Sequence, residues 1–338
     1  MCDMSPTDAP TLEMLWESDD PAGVLLTRFG LTDGRAARDW VATALSRHWG
    51  IEVSDCQRIV MSDHNALAWL TTPSGRLVAK WSVAPQRFAR LSELAGLTVW
   101  LAERGAPVSA PILTLDGASH AESDGALLVL QRLIEGGPLE VTNPDLVGAA
   151  GAVLARLHGE LARYPHAAPL HQSSPTPSKS LPAQVMSWLD AQPHHVPAPL
   201  LASMRRLMGT APTEPMPTQL LHGDFRAANI LCAGAQVLAI IDFEEARYDH
   251  PIAELARSAV MLGTKFRNWG PVSSSVRAEF LAGYESERRL STIESRWWDI
   301  LVGWYSLTMI SPSSDHDPTG WRAAAAEHLE RVTPSRAT

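Results

Sequence analysis

The chain lacks the sequence features of membrane, secreted and nucleic-acid-binding proteins. No apolar run approaches the length of a membrane span, and the polar, acidic start MCDMSPTDAP lacks the parts of a signal peptide. No block of lysine and arginine occurs, and the net charge is −9, which argues against a nucleic-acid binder. The three cysteines, Cys2, Cys56 and Cys232, are too far apart to indicate a disulfide framework or a zinc site. We therefore expect a cytoplasmic monomer or homodimer with neither a membrane nor a nucleic acid as partner.

The most informative stretch is residues 220–245, LLHGDFRAANILCAGAQVLAIIDFEE. Its pattern predicts two short strands at residues 230–232 and 237–241, joined by a turn at Gly234. Because a hairpin brings its two ends together, Asn229 before the first strand and Asp242 after the second should lie close to each other. Asp224 lies just upstream. Since Mg²⁺ prefers hard oxygen ligands, this corner predicts a site for a magnesium–nucleotide complex.

The same stretch has the spacing of a kinase catalytic loop. After His222-Gly223-Asp224, four residues intervene before Asn229-Ile230-Leu231, and Ile241-Asp242-Phe243 closes the hairpin. Here the chain resembles the family of small-molecule kinases that contains aminoglycoside phosphotransferases and choline kinases. The resemblance implies an α+β, two-lobed protein-kinase-like fold with a small, mainly antiparallel β N-lobe and a larger, mainly helical C-lobe. It places an N-terminal helical extension at residues 1–50, the N-lobe at 51–133 and the C-lobe at 134–338.

The resemblance also implies a reaction. The γ-phosphoryl group of ATP or GTP would move to a hydroxyl of a small molecule. Asp224 would orient that hydroxyl and take its proton, while Asn229 and Asp242 would hold Mg²⁺. From its position, Arg226 is expected to neutralise charge on the moving group, with bracing of the loop as an equal alternative.

Lys80 is the only lysine in the first half of the chain, and it lies on an otherwise apolar predicted strand. By resemblance it would grip the nucleotide phosphates, with Glu93 on the next helix as its acidic partner. The turn before that strand pair, residues 61–65, contains no glycine, unlike a glycine-rich phosphate loop. We expect it to contact phosphate through backbone N–H groups and through Ser62 or Asn65, or to be a plain turn.

The apolar strand at residues 127–131 leads, in the resembled family, to the hinge that carries the adenine. Residues 131–133 would then present backbone groups to the base, so Gln131 and Leu133 are predicted nucleotide contacts. A buried strand followed by a glycine turn would give the same pattern.

The acceptor side is expected to include residues 164–218, which are rich in proline, serine and histidine, together with an acidic region and a tryptophan-rich helix. The candidate substrate residues are Glu244, Glu245, Asp249, Trp298 and Asp299. The three acids near residue 249 could attract a cationic acceptor or could be solvated loop residues. Glu254 occupies the position of an acid that braces the catalytic loop in the family, and His158 is interpreted as structural.

Residue patterns predict the remaining elements. Strands are expected near residue 59 and at 67–71 and 77–81, and residues 1–20 are expected to be frayed or weakly helical. Helices are expected at residues 33–49, 87–104, 144–158, 182–191, 199–208, 252–263, 276–284, 291–309 and 321–332.

Three functions fit these residues. The first is a kinase that modifies an aminoglycoside-like or other antibiotic. The second is a metabolic kinase of an amino alcohol, a sugar or a homoserine-like acceptor. The third, a nucleotide-binding pseudokinase, is disfavoured because Lys80, Asp224, Asn229 and Asp242 are all present.

Overall fold

A computed structural model describes residues 9–172, 180–267, 269–312, 317 and 319–333. The chain divides into two compact units, Met1–Glu135 and Gly136–Thr338. The acceptor segment predicted at residues 164–218 lies partly outside the described residues, because 173–179 are not among them. Within the described ranges, no helix combines the length and apolar character needed to cross a membrane.

The first unit is built on a six-stranded sheet with the order β1-β2-β3-β4-β6-β5. All neighbouring strands are antiparallel except β1 and β2, which are parallel. The strands are β1 Thr11–Met14, β2 Asp55–Met61, β3 Asn65–Thr72, β4 Gly75–Ser82, β5 Ala121–Ser123 and β6 Ala126–Arg132. The three strands predicted from period-two patterns are therefore confirmed as β2, β3 and β4.

Three helices accompany this sheet, α1 Pro21–Phe29, α2 Gly34–Trp49 and α3 Phe88–Glu103. The predicted ends of α2 are confirmed: the Asp33 side chain accepts the N–H of Ala36, and Gly50 ends the helix in the left-handed conformation. Buried residues of α1 and α2 belong to the same apolar core as the sheet. The fully buried Trp81 lies at the centre of this core.

The expectation that residues 1–20 are frayed or weakly helical is wrong at Thr11–Met14, where the structure has a strand. This strand is only four residues long, so it is too short to show a clear alternation. It forms because its backbone pairs with the distant residues 58–61 of β2, which is a contact that no local pattern reveals.

The second unit is mainly helical. Its helices are α4 Pro144–Leu161, α5 Ala167–Gln172, α6 Leu181–Asp190, α7 Ala198–Met208, α8 Pro251–Met261, α9 Ser274–Glu287, α10 Thr292–Thr308 and α11 Trp321–Val332. Its strands are β7 Gly137–Pro138, β8 Gln219–Leu221, β9 Ile230–Ala233, β10 Gln236–Ile240 and β11 Arg247–Asp249. They form a three-stranded sheet, β10-β9-β7, and a two-stranded sheet, β11-β8. The predicted helices of this region and the hairpin are confirmed, with ends that differ by a few residues.

Helices α4 and α9 cross at glycines, where their backbones touch. A Cβ atom built on Gly283 would lie 2.0 Å from the carbonyl oxygen of Gly148, and one on Gly151 would lie 2.1 Å from that of Phe280. Only glycine permits so close an approach. As a result, Tyr284 of α9 comes within hydrogen-bonding distance of His158 on α4.

Candidate active site

The hairpin β9–β10 brings Asn229 and Asp242 to the same end of the ribbon. Ile230 pairs with Ile240, and one step further the Ile241 N–H donates to the Asn229 carbonyl at 3.0 Å. Asp242 follows at once, is exposed, and has φ 65° and ψ 70°. A left-handed conformation is uncommon for a residue other than glycine, and such residues occur preferentially at functional sites.

The Asp224 carboxylate is held mainly through one of its oxygens. Oδ2 accepts hydrogen bonds from Arg226 Nε and from Asn229 Nδ2, each at 2.9 Å. Asn229 Nδ2 also donates to the Asp224 carbonyl at 2.8 Å. Both hydrogen bonds that the structure describes for the Asn229 side chain use its amide nitrogen. Asp224 and Asn229 are thus in direct contact, and the hairpin places Asp242 beside Asn229.

Arg226 makes the contacts expected of a residue that braces the loop. Besides its bond to Asp224, its Nη1 donates to the Lys265 carbonyl at 2.8 Å. Its guanidinium carbon lies 5.4 Å from the centre of the Trp269 ring, and the Trp269 Nε1 donates to the same carbonyl at 2.7 Å. These contacts fit the bracing alternative, and charge neutralisation by Arg226 stays a prediction.

Glu254, on α8, holds the backbone at the start of the loop. Its carboxylate accepts the His222 N–H at 3.2 Å and the Gly223 N–H, and it pairs with His158 Nε2 at 2.8 Å. The side chains of Glu254 and His158 are each 2% exposed. Burial alone would raise the pKa of Glu254, but the hydrogen bond and charge of His158, the nearby His222 and the Gly223 N–H together lower it to about 2. Glu254 is therefore a buried carboxylate at neutral pH.

Further polar residues extend this support away from the loop. His158 Nδ1 bonds the Tyr284 hydroxyl at 2.9 Å, and that hydroxyl accepts from Arg288 Nη1 at 3.1 Å. Arg288 Nη2 in turn donates to Glu294, at the first turn of α10. Burial raises the pKa of Tyr284 to about 12, so its hydroxyl stays protonated. The sequence interpretation of His158 as a structural residue agrees with these contacts, whereas Tyr284 carries no motif that would have identified it.

The His222 side chain connects the loop to the strand that leads to Asp242. Its Nδ1 accepts the Asp224 N–H at 3.1 Å, which assigns the proton to Nε2, and Nε2 donates to the Ile241 carbonyl at 3.0 Å. The ring is fully buried and lies 4.5 Å from the ring of Phe243. His222 thus fixes the spacing between the two segments that carry Asp224 and Asp242.

Sequence reasoning missed two arginines beside Asp224. Arg257 of α8 donates from Nη1 to the Gly223 carbonyl at 2.6 Å and lies 3.6 Å from Asp224 Oδ1. Arg247 of β11 donates to the same carbonyl at 3.0 Å. One signal was available for Arg257, since it follows Glu254 by three residues and so lies on the same face of a helix.

In the first unit, Lys80 is half-buried on β4, opposite Leu67 of β3 and Val129 of β6. Glu93 is half-buried on α3. The Ser62 N–H and hydroxyl both bond the Asn65 carbonyl, at 2.8 and 3.4 Å, so these two residues close the glycine-free turn. Phosphate binding by Lys80, Glu93, Ser62 and Asn65 stays a prediction.

The two residues predicted to contact the adenine, Gln131 and Leu133, already make hydrogen bonds within the first unit. The Leu133 N–H donates to the Arg76 carbonyl at 3.0 Å, so this donor is already used. Gln131 pairs with Val78 across the sheet, and its side chain donates to the Ser109 carbonyl at 2.6 Å. A role for Gln131 and Leu133 in base binding remains a prediction that depends on their carbonyl groups.

The candidate substrate residues do not form one group. Asp249 is buried, and its Oδ1 accepts the His250 N–H at 2.8 Å, whereas Glu245 is exposed and Glu244 is half-buried. Trp298 is half-buried on α10. The neighbouring Asp299 faces α11: burial raises the pKa of its carboxyl, Arg331 counteracts this, and its carbonyl accepts from His328.

Comparison with known proteins identifies the family and the fold of the chain. The model of the phosphotransferase enzyme family matches residues 57–293. The homoserine kinase of Methylobacillus flagellatus is 27% identical over 249 residues, which cover 73% of this chain and 75% of that protein.

Among solved structures, the macrolide 2'-phosphotransferase MphH from Brachybacterium faecium has a TM-score of 0.59 at 18% identity, covering 88% of this chain and 98% of that one. The amicoumacin kinase hAmiN, solved with AMP-PNP and Ca²⁺, has a TM-score of 0.54 at 15% identity, covering 87% and 94%. At these identities the solved structures establish the fold alone, and they confirm the expected two-lobed, kinase-like α+β architecture.

The family model covers well over half of the chain, and its span includes both the predicted phosphate-binding strand and the loop around Asp224. This chain therefore belongs to the phosphotransferase enzyme family and is an ATP-dependent kinase of small molecules.

Proposed function

We propose that this chain transfers the γ-phosphoryl group of ATP to a hydroxyl of a small acceptor, with the loop at residues 222–229 as the catalytic loop. The observation that supports the proposal is the contact between Asp224 and Asn229 at 2.9 Å, with Asp242 placed beside Asn229 by the hairpin. A general base and two oxygen ligands for a metal therefore converge, as phosphoryl transfer requires.

Asp224 Oδ1 is the atom to which we assign the acceptor hydroxyl. Oδ2 is occupied by Arg226 and Asn229, whereas among the described residues no donor lies within hydrogen-bonding distance of Oδ1. A hydroxyl that donates to Oδ1 is oriented for attack. As its oxygen bonds to the γ-phosphorus, the bond from that phosphorus to the bridging oxygen breaks, the nucleoside diphosphate leaves, and the hydroxyl proton passes to Oδ1.

The residues present fit a magnesium ion. The described hydrogen bonds of the Asn229 side chain use its nitrogen, so we assign its amide oxygen to the ion. Asp242 is exposed and has a left-handed backbone conformation. Asn229 and Asp242 would hold the ion, in keeping with its preference for a few hard oxygen ligands from the protein. When bound, Mg²⁺ neutralises charge on the phosphate oxygens.

The nucleotide contacts belong to the first unit. We assign Lys80 to the phosphates with Glu93 as its partner, Ser62 and Asn65 to the covering turn, and residues 131–133 to the base. The family and the ATP analogue bound to hAmiN support ATP rather than GTP as the donor.

Two acceptor classes have support. An antibiotic acceptor is favoured by the structural neighbours that are named for antibiotics, such as macrolide 2'-phosphotransferase. A metabolic acceptor is favoured by the homoserine kinase relative, which has the higher sequence identity, 27% against 18%. Resistance to an antibiotic is therefore one candidate role, and phosphorylation of a homoserine-like metabolite is the other.

The test is a nucleotide-consumption assay with a panel of aminoglycosides, macrolides, sugars, amino alcohols and hydroxy acids. Asp224→Asn should keep nucleotide binding and lose acceptor phosphorylation by several orders of magnitude, because the general base is removed. Asp39→Asn, which alters an exposed acid on α2, is the matched control. Wild-type turnover by the Asp224→Asn variant would exclude Asp224 from the role of base.

Calorimetry tests the metal ligands separately. Asp242→Asn should weaken magnesium-dependent nucleotide binding, since one of two protein ligands loses its charge. Equal binding by the wild type and this variant would contradict the assignment of Asp242.

A further inference from the structure

Two arginines meet at the carbonyl of Gly223, directly before the proposed base. Arg257 Nη1 donates to this oxygen at 2.6 Å and Arg247 Nη1 at 3.0 Å. Both side chains remain partly open to solvent, with 28% and 21% of their surface exposed. We call Arg257 and Arg247 the arginine pair.

The arginine pair lies on the side of Asp224 that we assign to the acceptor. Arg257 Nη1 is 3.6 Å from Oδ1, the oxygen without a hydrogen bond among the described residues, whereas Arg226 and Asn229 engage Oδ2. An acceptor whose hydroxyl reaches Oδ1 therefore comes within reach of Arg257.

The guanidinium groups keep donors that the protein does not use. Within the described part of the chain, Arg257 has contacts only through Nη1, to Gly223 and Asp224, so its Nε and Nη2 are left for a ligand. For Arg247, Nη1 contacts backbone carbonyls and Nε lies 3.9 Å from Asp249, which leaves Nη2. A guanidinium offers paired N–H groups that match the two oxygens of a carboxylate.

One acid predicted on the acceptor side, Asp249, lies against Arg247 of the arginine pair rather than open to solvent. Asp249 is buried, bonds the His250 N–H at 2.8 Å and faces Arg247. Glu245 is exposed, with its backbone rather than its carboxylate against Gly223. The expectation that this acidic region attracts a cationic acceptor therefore loses one of its three members, Asp249.

From this geometry we infer that the acceptor carries a carboxylate close to its reactive hydroxyl, and that Arg257, assisted by Arg247, binds this carboxylate while Asp224 receives the hydroxyl. The inference rests on the proposed function and narrows its acceptor to small hydroxy acids, including hydroxy amino acids. Arg257 then determines specificity, because an acceptor without the acid leaves its guanidinium donors unpaired.

The test compares two acceptors that differ only in the acid. L-Homoserine and its carboxamide share the hydroxyl and the amine, but the carboxamide has no negative charge. We measure kcat/KM for both with the wild type, Arg257→Gln, Arg247→Gln and the control Arg35→Gln, which changes an exposed arginine of α2.

The wild type should prefer the acid at least tenfold, and Arg257→Gln should lower the acid-to-amide ratio by about ten- to a hundredfold, mostly through KM. Arg247→Gln should lower the ratio less, and Arg35→Gln should leave it unchanged. A loss common to both acceptors would indicate a merely structural role for Arg257 and overturn the inference.

Failure of the inference and failure of the proposed function give different results. If the wild type phosphorylates cationic antibiotics or amino alcohols but no hydroxy acid of the panel, the arginine pair does not select the acceptor and the kinase assignment stands. If no acceptor is phosphorylated faster than by Asp224→Asn, both the proposed function and the inference are wrong.

Discussion

Replacing Glu254 by glutamine tests whether a buried charge holds the catalytic loop. The substitution keeps the shape of the side chain but puts an NH₂ group where one carboxylate oxygen was. One oxygen accepts from His158 and the His222 N–H, and the other accepts from the Gly223 N–H. In either orientation the new NH₂ group faces a backbone donor, so at least one buried N–H loses its partner.

The magnitude follows from burial and from the pKa. Lowering the pKa of Glu254 from 4.5 to about 2 corresponds to about 3 kcal/mol of stability at neutral pH. Removal of one partner from a buried ion pair typically costs about 3–5 kcal/mol. We therefore expect Glu254→Gln to lower the free energy of unfolding by about 3–5 kcal/mol at pH 7.

The pH dependence has a definite sign. Because the pKa of Glu254 is lower in the folded protein, its stabilisation is fully present above the ordinary value of 4.5 and is lost as pH falls toward 2. Glutamine does not titrate, so the difference in unfolding free energy between wild type and variant should fall by about 2 kcal/mol between pH 7 and pH 3.

Urea denaturation at pH 7 and pH 3 measures this difference, and amide exchange of a peptide spanning residues 219–226 reports on the loop itself. Glu287→Gln is the matched control, since Glu287 pairs with Arg156 at the surface, where 38% and 52% of the two side chains are exposed. It should cost about 1 kcal/mol or less. Equal costs for the two variants, or a Glu254→Gln cost that does not change with pH, would refute the reasoning.

Three further substitutions test the supports of the loop. Gly223→Ala should abolish activity, because φ is +88° and the new Cβ would lie 2.0 Å from a backbone carbonyl. Its control is Gly234→Ala, at φ +57° in open space, which should lower the free energy of unfolding by only about 1 kcal/mol and keep activity. Gly283→Ala should lower Tm by forcing α4 and α9 apart, while Gly159→Ala in an open position of α4 should be neutral or stabilising by about 0.5–1 kcal/mol. Tyr284→Phe removes the hydroxyl that bonds His158 and should cost about 1–3 kcal/mol by denaturation; an unchanged stability would show that this contact is dispensable.

The parts of the site that the sequence predicts well are those that one continuous stretch determines. The hairpin β9–β10 is short, so its turn and alternation specify which residues meet at its ends. Asn229, Asp242 and the adjacent Asp224 follow from that local geometry. The kinase-like spacing of these residues predicts the fold through the family resemblance and not through any contact outside this stretch.

The parts that were missed depend on residues far apart in the chain. Tyr284 reaches His158 only because α4 and α9 touch at glycines, and glycine inside a helix has no local pattern that reveals a crossing. Arg257 appears beside Asp224 because α8 is anchored to the loop by Glu254. Asp249 was assigned to the acceptor side from its position and charge, but in the structure its backbone pairs with β8 and its side chain is buried.

These contacts between distant residues also hold the proposed catalytic loop in a fixed position relative to α8. Glu254 bonds the loop backbone and His158 of α4, and Arg257 lies on the same turn of α8. Glu254, which braces the loop backbone, and Arg257, which lies near Asp224 Oδ1, therefore move together. A displacement of α8 would then shift the base and the proposed carboxylate-binding group as one body. The distance between an acceptor's hydroxyl site and its acid site is thereby set by the fold, and selection by that distance needs no further moving part.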